Sequence, residues 1–552
     1  MNLGPPADVR QDVHPQASSS WRHRVLAVTA FLLVLFALLV PNEIGAIGPG
    51  AFVRIPVEGL LGVALLLVLP ARWARVTATV AGLLLGLLVI LKAFDMGFST
   101  VLARPFDPVV DWGLVGSGLD FLKGQSGTIG VVAAVAAAAL AAAAVLVVLV
   151  AAVRCVARVV VRRRVASTRA LAVLVPLWIV CSLLGVQVVP GVPVASESAT
   201  ALAYDRAVQV GAGLADQQAF AAQVDVDAFR TTAPEELLTA LRGKDVVLAF
   251  VESYGRSAVA DPEMGPQVGA VLDDGTRRFT AAGFGARSAF LTSPTAGGGS
   301  WLAHATFLSG MWVDNQQRYR TLVESKRTTL TSAFRRADWR TVALMPGTTG
   351  DWPEAEFYGH DTVYDARTLG YHGPELGWAT TPDQFTLAAL QRLERGKPGH
   401  PPLMAELAFV TSHAPWPLVP PLLSWDEIGD GTVYNAAAEG PRDDAIFSKG
   451  ADHVRTQYRR SVEYSLQSLV SYVENFGDDN LVLVLLGDHQ PAPIITGDGA
   501  GRDVPITIVT RDQDVLQRVG GWGWQDGMRP ALDAPVWRMD AFRDRFLTTF
   551  AR

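Results

Sequence analysis

Asp488 and His489 stand side by side directly after the apolar run Leu481–Leu486, where a buried strand would end. A carboxylate oxygen and an imidazole nitrogen at such a place can bind the same divalent cation, a mixture suited to Zn or Mn. Glu252 follows the run Val246–Val251 in the same way. An acidic residue at the edge of a buried sheet is costly unless paired or metal-bound, which makes it the natural third ligand. Each of these also has a plainer reading, as a turn or capping carboxylate or a solvated imidazole.

The stretch Ser293–Trp301 carries Gly297, Gly298 and Gly299 ahead of Ser300, with a helical-looking Leu302–Ser309 after it. Glycines let the backbone approach a ligand closely, and a helix start offers free N–H groups and a positive dipole end to an anion. Ser300 is placed to be a nucleophile, one that would need a metal because a hydroxyl is weak at its free pKa. In isolation the stretch also reads as an N-cap serine after a flexible loop. His304, one turn on, reads more readily as a satisfied structural histidine. A fourth run, Ala405–Val410, ends in Thr411, Ser412 and His413, with Trp416 just beyond. His413 can donate a hydrogen bond to a phosphoryl oxygen or leaving group, and Trp416 can pack on a substrate head group. Four such motifs in one chain, three at strand ends, exceed what packing explains.

These residues need a scaffold that brings strand ends together. The runs Val246–Val251, Thr341–Met345, Ala405–Val410, Leu481–Leu486 and Ile506–Val509 alternate with helical segments such as Thr328–Ala337, Gln384–Glu394 and His453–Phe476. Short, mostly apolar runs suit central strands covered on both faces, and the alternation argues for an α/β domain with a mainly parallel sheet. Chemistry in such sheets collects at the carboxyl ends of the strands. This domain is expected over residues 244–552. The polar, Ala-rich stretch 191–243 reads as a linker with a juxtamembrane helix near Pro234–Leu241.

The first part of the chain differs in kind. Only 18% of all residues are charged, against about 25% in ordinary soluble domains, which points to a membrane component. Apolar runs at Val25–Val40, Gly59–Leu69, Val76–Leu91, Gly127–Val153 and Ala170–Pro190 predict about five spans within residues 23–190, after a cytoplasmic tail 1–22. The second is shortened by Arg54 and Glu58, and a reentrant segment there would change the parity. Arg10, Arg22, Arg24, Arg72, Arg75 and the cluster Arg154–Arg169 fall on one side, which sets it as cytoplasmic and the catalytic domain as extracytoplasmic. A transporter is set aside because the apolar runs hold no paired charges. Residues 1–190 hold 15 Lys and Arg against 8 Asp and Glu, the remainder 32 against 45. An acidic second part excludes a nucleic-acid partner. Cys155 and Cys181 both lie in or beside the apolar part, so the second part has no disulfide, cysteine metal site or thiol nucleophile.

From Val246 to about Arg511 the ordered set Glu252-Ser253-Tyr254, the Gly-rich loop with Ser300, Ser412-His413 and Gly487-Asp488-His489 resembles the alkaline phosphatase/sulfatase superfamily. Within it the set is similar to the membrane-anchored lipoteichoic acid synthase and phosphoglycerol transferase group. The resemblance implies an alkaline-phosphatase-like fold in the bacterial cell membrane. It also implies one divalent metal, with Mn preferred over Zn or Mg, on Glu252, Ser300, Asp488 and His489. Ser300 stands where the group commonly has threonine, with Thr295 as the fallback nucleophile. His413 resembles the histidine that contacts the transferred group. The implied reaction moves a phospho-alcohol, foremost glycerol phosphate, from a phospholipid donor to a cell-envelope glycan or lipid through a phospho-serine. A phosphodiesterase, a phosphoethanolamine transferase and an inactive envelope scaffold are the alternatives.

Several positions depart from the resemblance. Ser293-Pro294-Thr295 does not fit the Cys/Ser-x-Pro-x-Arg pattern of sulfatases, which disfavours sulfate-ester hydrolysis. Phe409 occupies the place of an aspartate in two-metal members, hence one metal. Trp352 matches a substrate-gripping tryptophan but lacks its arginine, for which Arg256 is the substitute anion contact. Tyr358-Gly359-His360-Asp361 looks like a structural turn of the group. The phosphoethanolamine reading loses weight because those enzymes are typically disulfide-rich.

Overall fold

The computed structural model describes residues 17–108, 110–378, 381–416, 418–440, 442–443 and 446–551. Most of the expected tail, residues 1–16 with Arg10, lies outside them. Two compact units are present, Met1–Gly97 with Val115–Gly211, and Phe98–Leu114 with Ala212–Arg552.

The first unit is helical. It comprises α1 (Ala17–Leu39), α2 (Val57–Val68), most of α3 (Ala71–Leu102), α4 (Trp112–Arg162, broken at Gly127), α5 (Arg164–Leu183) and the start of α6 (Ser198–Val224). Among the described residues four helices are long and apolar enough to cross a membrane: Trp21–Leu39, Ala71–Leu102, Gly127–Arg162 and Arg164–Leu183. The expected fifth span is α2, with 12 residues and hence about 18 Å long, against the ~30 Å of a hydrocarbon core. Pro56 and Pro70 bracket it. Helices α3 and α4 touch closely, for a Cβ on Gly82 would lie 2.6 Å from Val150 Cα. Small residues permit such backbone approach between membrane helices. Helix α3 runs past its apolar stretch into Lys92 and Asp95, both buried. Lys92 Nζ donates to the Val40 carbonyl at 2.7 Å, and Arg206 of α6 pairs with Asp95 at 2.6 Å. Lys92 and Asp95 both lie beyond the apolar run Val76–Leu91, on the part of the helix that outlasts it.

Ala-rich residues that read as a linker fold as α6, 27 residues long, in keeping with the high helix propensity of alanine. The helix expected near Pro234–Leu241 is instead two 3-10 turns, Pro234–Glu236 and Thr239–Leu241.

In the second unit the main strands are β1 (Asp245–Val251), β2 (Gly285–Thr292), β3 (Arg340–Met345), β4 (Thr362–Asp365), β5 (Leu403–Phe409), β6 (Leu481–Gly487) and β7 (Asp503–Thr510). Their order is β2-β7-β6-β1-β5-β3-β4, with two short strands, Gln525–Asp526 and Val536–Arg538, on β2. From β6 to β4 every neighbouring pair is parallel, and β7 runs against both β6 and β2. The sheet is therefore mostly parallel, as its apolar strands require. Alternation along β1 shows why: Val247, Ala249 and Val251 enter one core, while Val246, Leu248 and Phe250 enter another. Helices Gly265–Ala281 and Ala451–Phe476 pack on the first face, Leu330–Arg336 and Ala541–Phe550 on the second. Central strand β1 thus ends at an edge that helices flank on both sides.

Candidate active site

Strands β1 and β6 pair with Phe250 beside Leu486 and Val251 beside Gly487. One step further along this register sets Glu252 beside Asp488, across strands about 4.8 Å apart. Glu252, Asp488 and His489 are buried, and each offers a ligand atom within 4.8 Å of the others. Among the described residues this is the one group of three such side chains. Asp488 Oδ1 accepts from the backbone N–H groups of Ser253 and His489, both at 2.7 Å. Ser253, whose N–H donates the first of these bonds, has φ 55°, a left-handed conformation uncommon outside glycine. His489 Nδ1 lies 2.9 Å from the Gln490 carbonyl. A carbonyl only accepts, so Nδ1 carries a proton and neutral His489 presents its lone pair at Nε2.

Helix α7 (Ser300–Ser309) brings the hydroxyl. Ser300 is its first residue, and Gly297, Gly298 and Gly299 ahead of it have φ of 74°, 156° and 82°. A Cβ on Gly297 would fall 1.8 Å from the Val101 carbonyl. Ser300 Oγ donates to Glu252 Oε2 at 2.8 Å and lies 3.2 Å from His489 Nε2. One turn on, His304 stacks on Phe250 with ring centroids 3.7 Å apart. Helix and strand thus run in step, since four helical residues and two strand residues each advance about 6 Å.

The charges fit a divalent cation. Burial, and then the negative charge of Glu252, push the Asp488 carboxyl up to about 7. Burial acts against protonated His489, but Asp488 and Glu252 outweigh it and raise the imidazole to about 9. Burial also disfavours ionised Glu252, yet the charge and hydrogen bond of His489 hold that carboxyl well below its usual range. Left to itself, the cluster offsets its negative charge with protons. A divalent cation supplies the same offset, and the oxygens of Glu252, Asp488 and Ser300 with one imidazole nitrogen are donors that Mn or Zn accepts.

Buried groups hold the site from behind. Ser412 Oγ donates to the Glu252 carbonyl at 2.6 Å, Ser293 Oγ to the Asp488 carbonyl at 2.6 Å and Tyr458 OH to the Ser253 carbonyl at 2.7 Å. His413 follows β5, the other neighbour of β1, and its charge also lowers the Glu252 carboxyl. Its Nδ1 bonds the Ala414 carbonyl at 2.6 Å, and its ring stacks on half-exposed Trp378 at 3.9 Å.

Not every expected residue joins the cluster. Trp416 is 5% exposed, donates from Nε1 to the Ser412 carbonyl and packs on Tyr458, a core position that does not fit contact with a head group. Arg256 pairs with Asp503 at 3.0 Å and lies over the Phe290 ring at 4.4 Å, so its charge is committed within the fold. Trp352 packs beside Tyr358 and His360. The Thr295 hydroxyl is buried without a hydrogen-bond partner among the described residues, whereas Ser300 meets Glu252.

A second buried cluster escapes the sequence reading. Glu406, in the middle of β5 and 1% exposed, lies 2.8 Å from His304 Nδ1 and 3.1 Å from His360 Nε2. Burial opposes its charge, but the hydrogen bond with His304 and the nearby His360 lower the carboxyl to about 2. The available signal was a lone acid within an apolar strand.

No protein-family model and no curated protein matches the chain. Among solved structures it is similar to the integral membrane lipooligosaccharide phosphoethanolamine transferase A of Neisseria meningitidis, at 14% identity over 96% of this chain and 95% of that one, TM-score 0.47. It is also similar to the lipoteichoic acid synthase LtaP of Listeria monocytogenes, at 15% identity over 49% and 66%, TM-score 0.34. A third is the Streptococcus pyogenes phosphoglycerol transferase GacH in complex with sn-glycerol-1-phosphate, at 13% identity over 61% and 90%, TM-score 0.35.

Proposed function

We propose that the protein is a membrane-anchored, extracytoplasmic, metal-dependent phosphotransferase of the alkaline phosphatase/sulfatase type. In this reading it moves a phospho-alcohol, foremost glycerol phosphate, from a phospholipid to a cell-envelope glycan or lipid. The observation that carries it is the Ser300 hydroxyl at a helix start, bonded to Glu252 and facing His489 beside Asp488.

Glu252, Asp488, His489 and Ser300 would hold the cation, Mn foremost. When bound it would lower the pKa of the hydroxyl and polarise a phosphoryl oxygen. Ser300 Oγ then attacks phosphorus and its proton leaves. The bond from phosphorus to the diacylglycerol oxygen breaks, and that oxygen takes up a proton. An acceptor hydroxyl attacks the phospho-serine in turn, loses its proton and restores Ser300. The free N–H groups at the start of α7 favour the transferring anion. His413, with Nδ1 occupied by a carbonyl, has Nε2 available to a phosphoryl or leaving-group oxygen, and Trp352 stands as a further substrate contact.

Diacylglycerol release from mixed bacterial phospholipid, measured with the full chain and Mn, tests the reading. Wild type is expected to release it, with activity lost on chelation, regained with Mn, and reduced at least about 1,000-fold in Ser300→Ala. Equal release by Ser300→Ala would sink it.

A further inference from the structure

Helices α3 and α4 leave a cavity of about 920 Å³ between them within the helical unit. Ala78 and Ala151 line its apolar part, which continues along α4 to Val147 and Leu146. At its other end are Arg75 of α3 and Arg154, Arg158 and Arg162 of α4, all exposed, and the lining holds no Asp or Glu. Arg75 and Arg158 bond through Nε to carbonyls of their own helices, at 3.4 and 3.2 Å, leaving their terminal nitrogens for other acceptors.

The α4 arginines are spaced i, i+4 and i+8, which puts three like charges on one helical face over about 12 Å. Like charges so placed repel one another. A preference for basic residues near membrane-span ends does not require them on one face, nor beside a groove, and Arg163, Arg164 and Arg169 meet that preference outside the lining. From Arg154 to Leu146 the apolar part follows about 12 Å of helix beyond the arginines, room for the first half of an acyl chain. Cationic at one end and apolar along the rest, it matches an amphiphile of opposite charge.

We propose that this groove binds a diacyl phospholipid with an anionic head group, its phosphate among Arg75, Arg154, Arg158 and Arg162 and an acyl chain along the alanines. A zwitterionic lipid is disfavoured because its ammonium group meets the same arginines. This site is separate from the Ser300 centre and does not depend on the catalytic reading.

Native mass spectrometry of the full chain tests it, on a Ser300→Ala background with chelator so that turnover does not consume lipid. Phosphatidylglycerol and phosphatidylcholine with the same acyl chains are the probes. Phosphatidylglycerol is expected to be retained preferentially, with binding weakened at least about tenfold by Arg75→Gln/Arg154→Gln/Arg158→Gln. Arg163→Gln/Arg164→Gln/Arg169→Gln removes equal charge outside the groove and is expected to retain it. Ala151→Trp fills the groove while keeping every arginine, and is expected to lose the lipid even if the arginine variant fails to assemble. Equal loss from both arginine triples, equal retention of both lipids, or undiminished binding by Ala151→Trp overturns the proposal.

Discussion

Ser300 and Glu406 show two ways in which a buried sheet tolerates polar groups. Ser300 stands at the carboxyl edge among groups that suit a cation, whereas Glu406 lies inside a strand between two histidines, hydrogen-bonded to His304. Folding lowers the Glu406 carboxyl from 4.5 to about 2. Its contribution is therefore complete above about pH 4.5 and lost as pH falls toward 2, a difference of about 3 kcal/mol. Glu406→Gln is expected to lower Tm clearly at pH 7, with the gap to wild type narrowing as pH drops below about 4.5. A pH-independent gap in thermal unfolding contradicts this. Strand-end residues such as Glu252, Asp488 and His489 were legible because an apolar run announces where it stops. The Glu406 cluster was not, because His304, His360 and Glu406 meet only through tertiary packing. Trp416 and Arg256 misled for a related reason: a sequence shows an aromatic or a cation but not the Tyr458 or Asp503 that engages it.

Elements set the site through register. Strand β1 neighbours both β6 and β5, so Glu252 receives Asp488 from one side and Ser412 from the other. Gly487 permits this closeness, since a Cβ there would fall 1.9 Å from the Tyr254 carbonyl. Gly487→Ala is expected to cost about 1–3 kcal/mol through overpacking. By shifting the Asp488-His489 turn it should also weaken metal binding about tenfold or more. Thermal unfolding and a metal titration check both, and a variant matching wild type in each would contradict the register argument. The five apolar strand runs were readable, whereas β2 and β4 were not. Strand β2 carries Arg287 and Ser288 among its apolar residues, and β4 pairs on one side only, where an edge needs no apolar run.

At the scale of the whole molecule, α2 decides the topology. Although α2 is short, Gly59 near its start lies by Leu38, with Glu58 accepting from Thr200, while Leu66 near its end packs with Ala157 and Val160 by the arginine-bearing end of α4. A two-residue connection, Leu69 and Pro70, then leads into α3. A crossing at α2 would make the number of crossings odd. Thiol labelling of single cysteines introduced at Arg22 and at exposed Asp498, in a variant with both native cysteines replaced, is expected to place them on opposite sides of the membrane. Labelling from the same side would mean that α2 does not cross.

Intact mass spectrometry of the full chain, incubated with Mn and mixed bacterial phospholipid, tests the central claim most directly. Wild type is expected to gain a covalent phospho-alcohol that peptide mapping assigns to Ser300, with the added mass naming the transferred group, and Ser300→Ala should gain none. A folded, metal-loaded wild type that acquires no adduct under conditions trapping the intermediate, or carries it on Thr295, would contradict the account.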